Sequence, residues 1–168
     1  MSTTAIRRER TGGALAPAVR AGAAGFVAGI PLALWLMIGA IFTSSLWAPP
    51  QGIAQAVGIG HAGHGFQIVP FILGVMGHMI NSVILGLVFL GVATIMKLRG
   101  LASVIVGSVY GFVAYEILYW GLLRGALSAT SASFLSANPE WFRIVGHLLF
   151  GGVLGLLFAS GPLRRQEV

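Results

Sequence analysis

Three ionisable side chains stand inside long apolar runs of this chain: His78, His147 and Glu116. An ionisable group in hydrocarbon costs at least about 2.5 kcal/mol even on lenient insertion scales, so such residues face a bundle interior and mark function. Asn81 lies three residues after His78 on the same helical face, and Tyr115 and Tyr119 flank Glu116, so all three extend the group into a polar cluster. Four chemistries fit these residue types. A hydrogen-bonded pair of Glu116 with a histidine locks helices together. A haem b takes His78 and His147 as axial ligands, with Gly74, Gly77, Gly146, Gly151 and Gly152 leaving room for the macrocycle. A copper, zinc or iron ion is held by both imidazoles and the Glu116 carboxylate. A proton path or small transporter runs through Glu116.

His61 and His64, in Gly60-His61-Ala62-Gly63-His64-Gly65, form a second candidate metal pair outside the apolar runs. The flanking glycines weaken a helical i, i+3 ligand pair. His64 precedes His78 by 14 residues, a spacing that sets two haems on one helix in dihaem cytochromes b, but Ser133 and Gly161 stand where the partner ligands would be needed. With no cysteine in the chain, disulfides, thiolate metal sites, iron–sulfur ligation and covalent haem attachment are excluded. The serines of Ser128-Ala129-Thr130-Ser131-Ala132-Ser133, and Ser136, have no histidine nearby in sequence and read as loop polarity. Neither a Ser-His-acid arrangement nor a phosphate-binding glycine loop stands out, which disfavours a hydrolase.

The elements that must position these residues are membrane spans. In 168 residues, 57% are apolar and 8% charged, and the mean hydropathy is +0.91, against roughly a quarter charged in soluble domains. Apolar stretches of about 20 residues give four spans, near 21–42, 69–96, 101–123 and 140–161. They follow a basic tail over 1–20, expected to be solvated, and precede a short tail over 162–168. Arg7-Arg8 invites a twin-arginine export signal, but the apolar run behind it exceeds the usual 7–15 residues of a cleaved signal. With the N-terminus inside, Arg7, Arg8, Arg10, Arg20, Lys97, Arg99, Arg164 and Arg165 are cytoplasmic, and Arg124 and Arg143 are outside. The expected location is a bacterial inner membrane, crossed several times with both termini cytoplasmic. The net charge of +6 sits mostly at the chain ends, where it favours anionic headgroups rather than nucleic acid.

The chain also contains a repeat. At an offset of 69, residues 70–89 match 139–158 at seven of twenty positions without a gap, including Pro70 with Pro139, Gly77 with Gly146 and His78 with His147. The first and third spans align through Gly25-Phe26-Val27-Ala28 over Gly111-Phe112-Val113-Ala114, at an offset of 86. The fold class expected is therefore all-α and integral to the membrane, with four transmembrane helices as two parallel-repeat hairpins. Each proline is expected at the first helical position, with Asn138 as N-cap before Pro139. Eight residues further on, His78 and His147 then lie level, about 12 Å below the helix ends, and Glu116 falls at a similar depth. Small residues four apart (Gly25 and Gly29, Ser82 and Gly86, Gly107 and Gly111, Gly151 and Gly155) allow close backbone approach. The uncharged loop 43–58 is too apolar to float, and Ile53, Ala54, Ala56 and Val57 predict a short interfacial or re-entrant helix after a Pro49-Pro50 turn. Trp47 and Trp141 read as interfacial anchors.

Ala48-Pro49 with Ile53-Ala54 and Gly58, His78 with Gly86, and Gly146-His147 with Gly151 and Gly155 resemble a group of small four-helix bacterial inner-membrane proteins, the YagU-like ones, over about 21–161. The resemblance implies a compact four-helix membrane fold and no particular activity; His61-Ala62-Gly63-His64 is not part of it. A small chain with short loops and small-residue helix faces leads to an expected role as a non-catalytic subunit. Its expected surroundings are the lipid bilayer and a larger membrane complex or homo-oligomer, with a respiratory or metal-dependent oxidase or monooxygenase assembly as the expected host.

Overall fold

The computed structural model describes residues 3–60, 65–119, 121 and 137–160, with side chains from Leu15 onward. The described residues are helical, without strands: α1 (Thr3–Ala40), α2 (Ala48–Ala56), α3 (Ile68–Ile95), α4 (Leu101–Glu116) and α5 (Glu140–Ser160). Four stretches are long and apolar enough to cross a membrane: Leu15–Ala40, Ile68–Ile95, Leu101–Tyr119 and Glu140–Ser160. They match the spans expected from hydropathy. The helix of the first span runs back to Thr3, so the basic segment continues it as helix. That segment carries Arg7, Arg8, Arg10, Ala14, Ala16 and Ala18, good helix formers that extend a helix already nucleated by the span, against the weaker Gly12, Gly13 and Pro17.

The helices pair antiparallel, α1 against α3 and α4 against α5, and α1 also packs along α5. Small residues bring the backbones together. A Cβ on Gly25 would strike the Ser82 carbonyl and the Gly86 backbone, and one on Gly86 would strike the Ala21 carbonyl and Gly25. In the second pair, Gly107 meets the Gly151 carbonyl and Gly155, and Gly155 meets Ser103. The four-residue spacings therefore mark the helix crossings, as expected of such stripes in membranes. Ala28, Leu32, Leu36, Phe89, Phe150 and Leu154 form the buried apolar core where α1, α3 and α5 converge. Phe89 and Phe158 meet edge to face there at 5.0 Å.

The two remaining helix seams differ. α1 is fastened to α5 at the end carrying the 41–67 connection: Trp35 stacks on Phe142 at 4.3 Å and donates from Nε1 to the Phe142 carbonyl at 2.9 Å. Asn138 Nδ2 donates to Leu36 O at 3.0 Å, and the Thr43 hydroxyl donates to Ala137 O. Asn138 thus ties α5 to α1 rather than capping α5. The helix begins one residue later, at Glu140, with the Pro139 carbonyl accepting from the Phe142 and Arg143 N–H groups. Pro70 likewise sits in the first turn of α3, two residues inside its start at Ile68, where a missing N–H is still without cost. α3 and α4 touch sparingly. Their contact is at Tyr110, which packs on Phe89 and donates to Leu85 O at 2.8 Å. Above that point the seam widens, and α4 passes into a π-type turn at 117–119.

α2 covers the widened end. Pro49 and Pro50 form its first turn, where fixed φ and absent N–H groups are tolerated, so they begin the helix rather than precede it. The helix lies on α3 so closely that the Pro50 carbonyl occupies the space a side chain at position 74 would need. Gln51, 2% exposed, fixes the return of the chain: its Oε1 accepts from the Gln67 N–H at 2.5 Å and its Nε2 donates to Gly65 O at 3.2 Å.

Candidate functional site

Under α2, between the α1–α3 pair and the α4–α5 pair, lies a cavity of about 280 Å³. Its floor is polar: His78 and Asn81 from α3, Tyr115 and Tyr119 from α4 and its π-type turn, Arg143 and His147 from α5. Its walls are apolar, with Ala33, Leu36 and Met37 of α1, Ile53 and Val57 at α2, and Leu118. A π-type widening is frequent at functional sites; here it turns both Leu118 and Tyr119 into the cavity.

The two histidines expected to lie level do line one cavity, and Asn81, Tyr115 and Tyr119 join them as the spacing predicted. Each imidazole is held by a backbone carbonyl. His78 Nε2 lies 3.0 Å from Gly29 O, and His147 Nδ1 lies 2.8 Å from Arg143 O. A carbonyl only accepts, so in the neutral rings these nitrogens carry the hydrogen. The lone pairs then sit on His78 Nδ1 and His147 Nε2. The His147 ring also packs against Tyr115, with centroids 4.7 Å apart.

Glu116 is not among the lining residues. The charge beside the histidines is Arg143, counted from the sequence as an outer-side charge at the start of the fourth span and found 6% exposed on the first turns of α5. Its Nε donates to the Tyr115 hydroxyl at 3.2 Å, its Nη1 donates to Asn138 O at 2.9 Å, and its guanidinium lies 5.1 Å from the Tyr119 ring centroid. The sequence carried a signal for it: Arg143 precedes His147 by four residues, so the two share a helix face. Glu116, next to Tyr115, is turned from the cavity by the helical period, since adjacent residues point about 100° apart.

The three-ligand metal set of His78, His147 and Glu116 is not assembled. Among the described residues no three His, Cys, Asp or Glu side chains are placed to hold a metal ion, because a guanidinium stands where the carboxylate was expected. The glycines expected to leave room for a macrocycle are filled: Gly74 by Pro50, Gly146 by Leu32 and Trp35, Gly151 by Gly107, and Gly152 faces Ser108. Gly77 borders the cavity, with Ile53 at 3.4 Å from a Cβ placed there. His61 and His64 lie outside the described residues, as do Arg124, Ser128, Ser131, Ser133 and Ser136. Trp141, 63% exposed, suits an interfacial anchor. Trp47 instead packs against Phe66, with its indole N–H buried and without a hydrogen-bond partner among the described residues.

No family model, curated protein or solved structure matches the chain.

Proposed function

We propose that this chain is a non-catalytic, multi-pass membrane protein of the bacterial inner membrane whose working part is the cavity between its two hairpins, and that it holds a small molecule there without transforming it. The observation that carries the reading is the convergence of Arg143, two histidines, two tyrosines and Asn81 on one cavity among the helices long and apolar enough to cross a membrane. Buried polar groups in such numbers are costly unless they serve packing or a ligand. The described lining pairs these polar groups with apolar walls, Leu36, Met37, Ile53 and Leu118 among them, a composition suited to holding a small amphipathic molecule.

The hairpins are read as a parallel repeat with both termini cytoplasmic. Supporting this, Gly25 and Gly29 meet α3 as Gly107 and Gly111 meet α5, a correspondence of 82 residues. The sequence match gave 86, one helical turn away on the same face. In the contact register Ala33, Leu36 and Met37 correspond to Tyr115, Leu118 and Tyr119, and His78 to His147, so that the cavity is lined by equivalent positions from both halves. Burial of Arg143 leaves Arg124 as the basic residue of the outer side, which strengthens the charge asymmetry behind the assignment. Membership of a larger membrane assembly belongs to the same proposal and rests on the chain's small extramembrane surface; migration of the mildly solubilised protein at the mass of one chain overturns it.

Native mass spectrometry of the gently solubilised protein tests the cavity reading. A bound small molecule is expected on the natural protein and absent from Ala33→Phe, which fills the cavity from α1. Equal spectra without an adduct overturn it.

A further inference from the structure

We propose that the ligand is a lipophilic carboxylic acid of medium chain length, its headgroup held by Arg143, Tyr115 and the two histidines and its chain by Leu36, Met37, Ile53 and Leu118. This rests on the reading of the cavity as a binding site and names the chemistry it selects.

The sign of the site comes first. Arg143 is the charged side chain that lines the cavity, and no acid lines it among the described residues. An electron-rich group gains from such a setting and a metal cation or an amine is repelled by it. The histidines specify more. His78 and His147 each spend one ring nitrogen on a backbone carbonyl, and the other nitrogen of each ring has no hydrogen-bond partner among the described residues. These lone pairs suit a proton donor, while the charge of Arg143 and the O–H that Tyr115 retains after accepting from Arg143 Nε suit an electron-rich oxygen. A carboxylic acid supplies both on one carbon. It crosses hydrocarbon as the neutral form, and in the cavity its O–H donates to the lone pair of His147 Nε2 or His78 Nδ1 while its carbonyl oxygen accepts from Arg143 and Tyr115, with no proton transferred. A charge-assisted bond such as that from Arg143 is among the strong ones.

The apolar walls and the volume set the rest of the molecule. About 280 Å³ lies at the small end of ligand pockets, roughly 300–1,000 Å³, which fits a single short chain. An apolar chain alone would leave the polar floor unsatisfied.

The test measures binding of radiolabelled decanoic acid to the full chain in detergent, with empty micelles subtracted and with decanol and decylamine as matched probes. Saturable binding of decanoic acid is expected, at least tenfold tighter than that of either probe, and lost in Ala33→Phe. Arg143→Met is expected to weaken it at least tenfold. Should that variant not fold, as judged by its melting transition, Tyr115→Phe and His147→Ala answer in its place, each with a loss of at least threefold. If decanol or decylamine binds as tightly and Ala33→Phe abolishes that binding, the acid is wrong and the cavity reading stands. If no probe binds saturably in a manner that Ala33→Phe removes, both fall. Decanoic acid binding that is equal in the natural protein and in every folded headgroup variant overturns the assignment.

Discussion

Replacing one glycine on α3 with alanine should separate packing from propensity, because the same helix offers a matched control. At Gly86 an added Cβ meets backbone: the Ala21 carbonyl oxygen, the Gly25 Cα at 2.8 Å and the Gly25 nitrogen at 2.9 Å. Non-bonded carbons settle at about 3.5–4.0 Å, so α1 and α3 must separate by most of an ångström or bend. At Gly91, exposed on the same helix, a Cβ meets nothing within 4 Å. Both substitutions gain about 1 kcal/mol in helix propensity. Only Gly86→Ala also incurs overpacking, about 1–3 kcal/mol, with no flexible side chain in the way that could yield. The two variants should therefore differ by about 1–3 kcal/mol, roughly 5- to 150-fold in the unfolding equilibrium. The assay is reversible unfolding in mixed micelles, followed by circular dichroism for each variant against the natural protein. Gly91→Ala should match or exceed the natural protein, and Gly86→Ala should fall below it. Equal stability of the two variants would refute the claim that the α1–α3 crossing is set by backbone contact at Gly25 and Gly86.

The remaining predictions address the seam, the covering helix, the polar floor and the topology. Trp35→Phe keeps an aromatic ring against Phe142 but removes the 2.9 Å bond to its carbonyl, and should cost about 0.5–1.5 kcal/mol in the same unfolding assay. Gln51→Ala removes both bonds that fix the return of the chain from α2; hydrogen exchange should accelerate in 48–59 and 65–71 and stay unchanged in α4 and α5. Tyr115→Phe takes an acceptor from the buried Arg143 Nε and should lower stability by about 1.5–3 kcal/mol, the range for hydrogen bonds to charged groups. Because the chain has no cysteine, single cysteines report topology cleanly. In intact cells a membrane-impermeant maleimide should label Ser44→Cys and spare Lys97→Cys until lysis, and the opposite pattern inverts the proposed orientation.

What could be read from the sequence was set by period and length. Hydropathy needs only the rise per residue to mark a span, so the four spans were legible. The histidines were legible as a pair because a helix fixes depth by counting, and both stand eight residues after a proline that opens their helix. Glu116 was counted the same way, but depth does not fix direction. Which side of α4 faces inward is decided by Gly107 and Gly111 packing on α5, a tertiary fact that turns Tyr115 inward instead. Arg143 was missed for the complementary reason: its charge was counted only toward the outer side, while Tyr115, Tyr119 and the Asn138 carbonyl supply the contacts that let a guanidinium lie buried. The glycines beside His78 and His147 could not be read as space or as packing without knowing that Pro50, Leu32, Trp35 and Gly107 fill them.

Under the proposed repeat, the cavity is a consequence of broken symmetry rather than of a pocket carved into one half. A twofold axis would make the α1–α5 and α3–α4 seams equivalent. The first is closed by Trp35 on Phe142, whereas the second closes only at Tyr110 and opens above it. Position 74 corresponds to 143 at the offset of 69, and the two differ as much as side chains can. Glycine at 74 admits the Pro50 carbonyl and with it α2, while arginine at 143 projects a charge into the space that α2 covers. The longer first connection supplies the cover, the glycine seats it, and the arginine answers from the other half. Neither half alone contains a site: the first lacks the charge and the second lacks the cover. Under that proposal the longer connection, Gly74 and Arg143 together turn a packing interface between hairpins into a covered, positively lined cavity. Removing the seat of the cover should therefore open it. Gly74→Leu, which leaves no room for the Pro50 carbonyl, should displace α2 and abolish ligand retention while the α1–α3 and α4–α5 pairs, held at Gly25–Gly86 and Gly107–Gly155, stay folded. Retention of ligand with α2 displaced would show that the cover is dispensable and that the site belongs to the four spans alone.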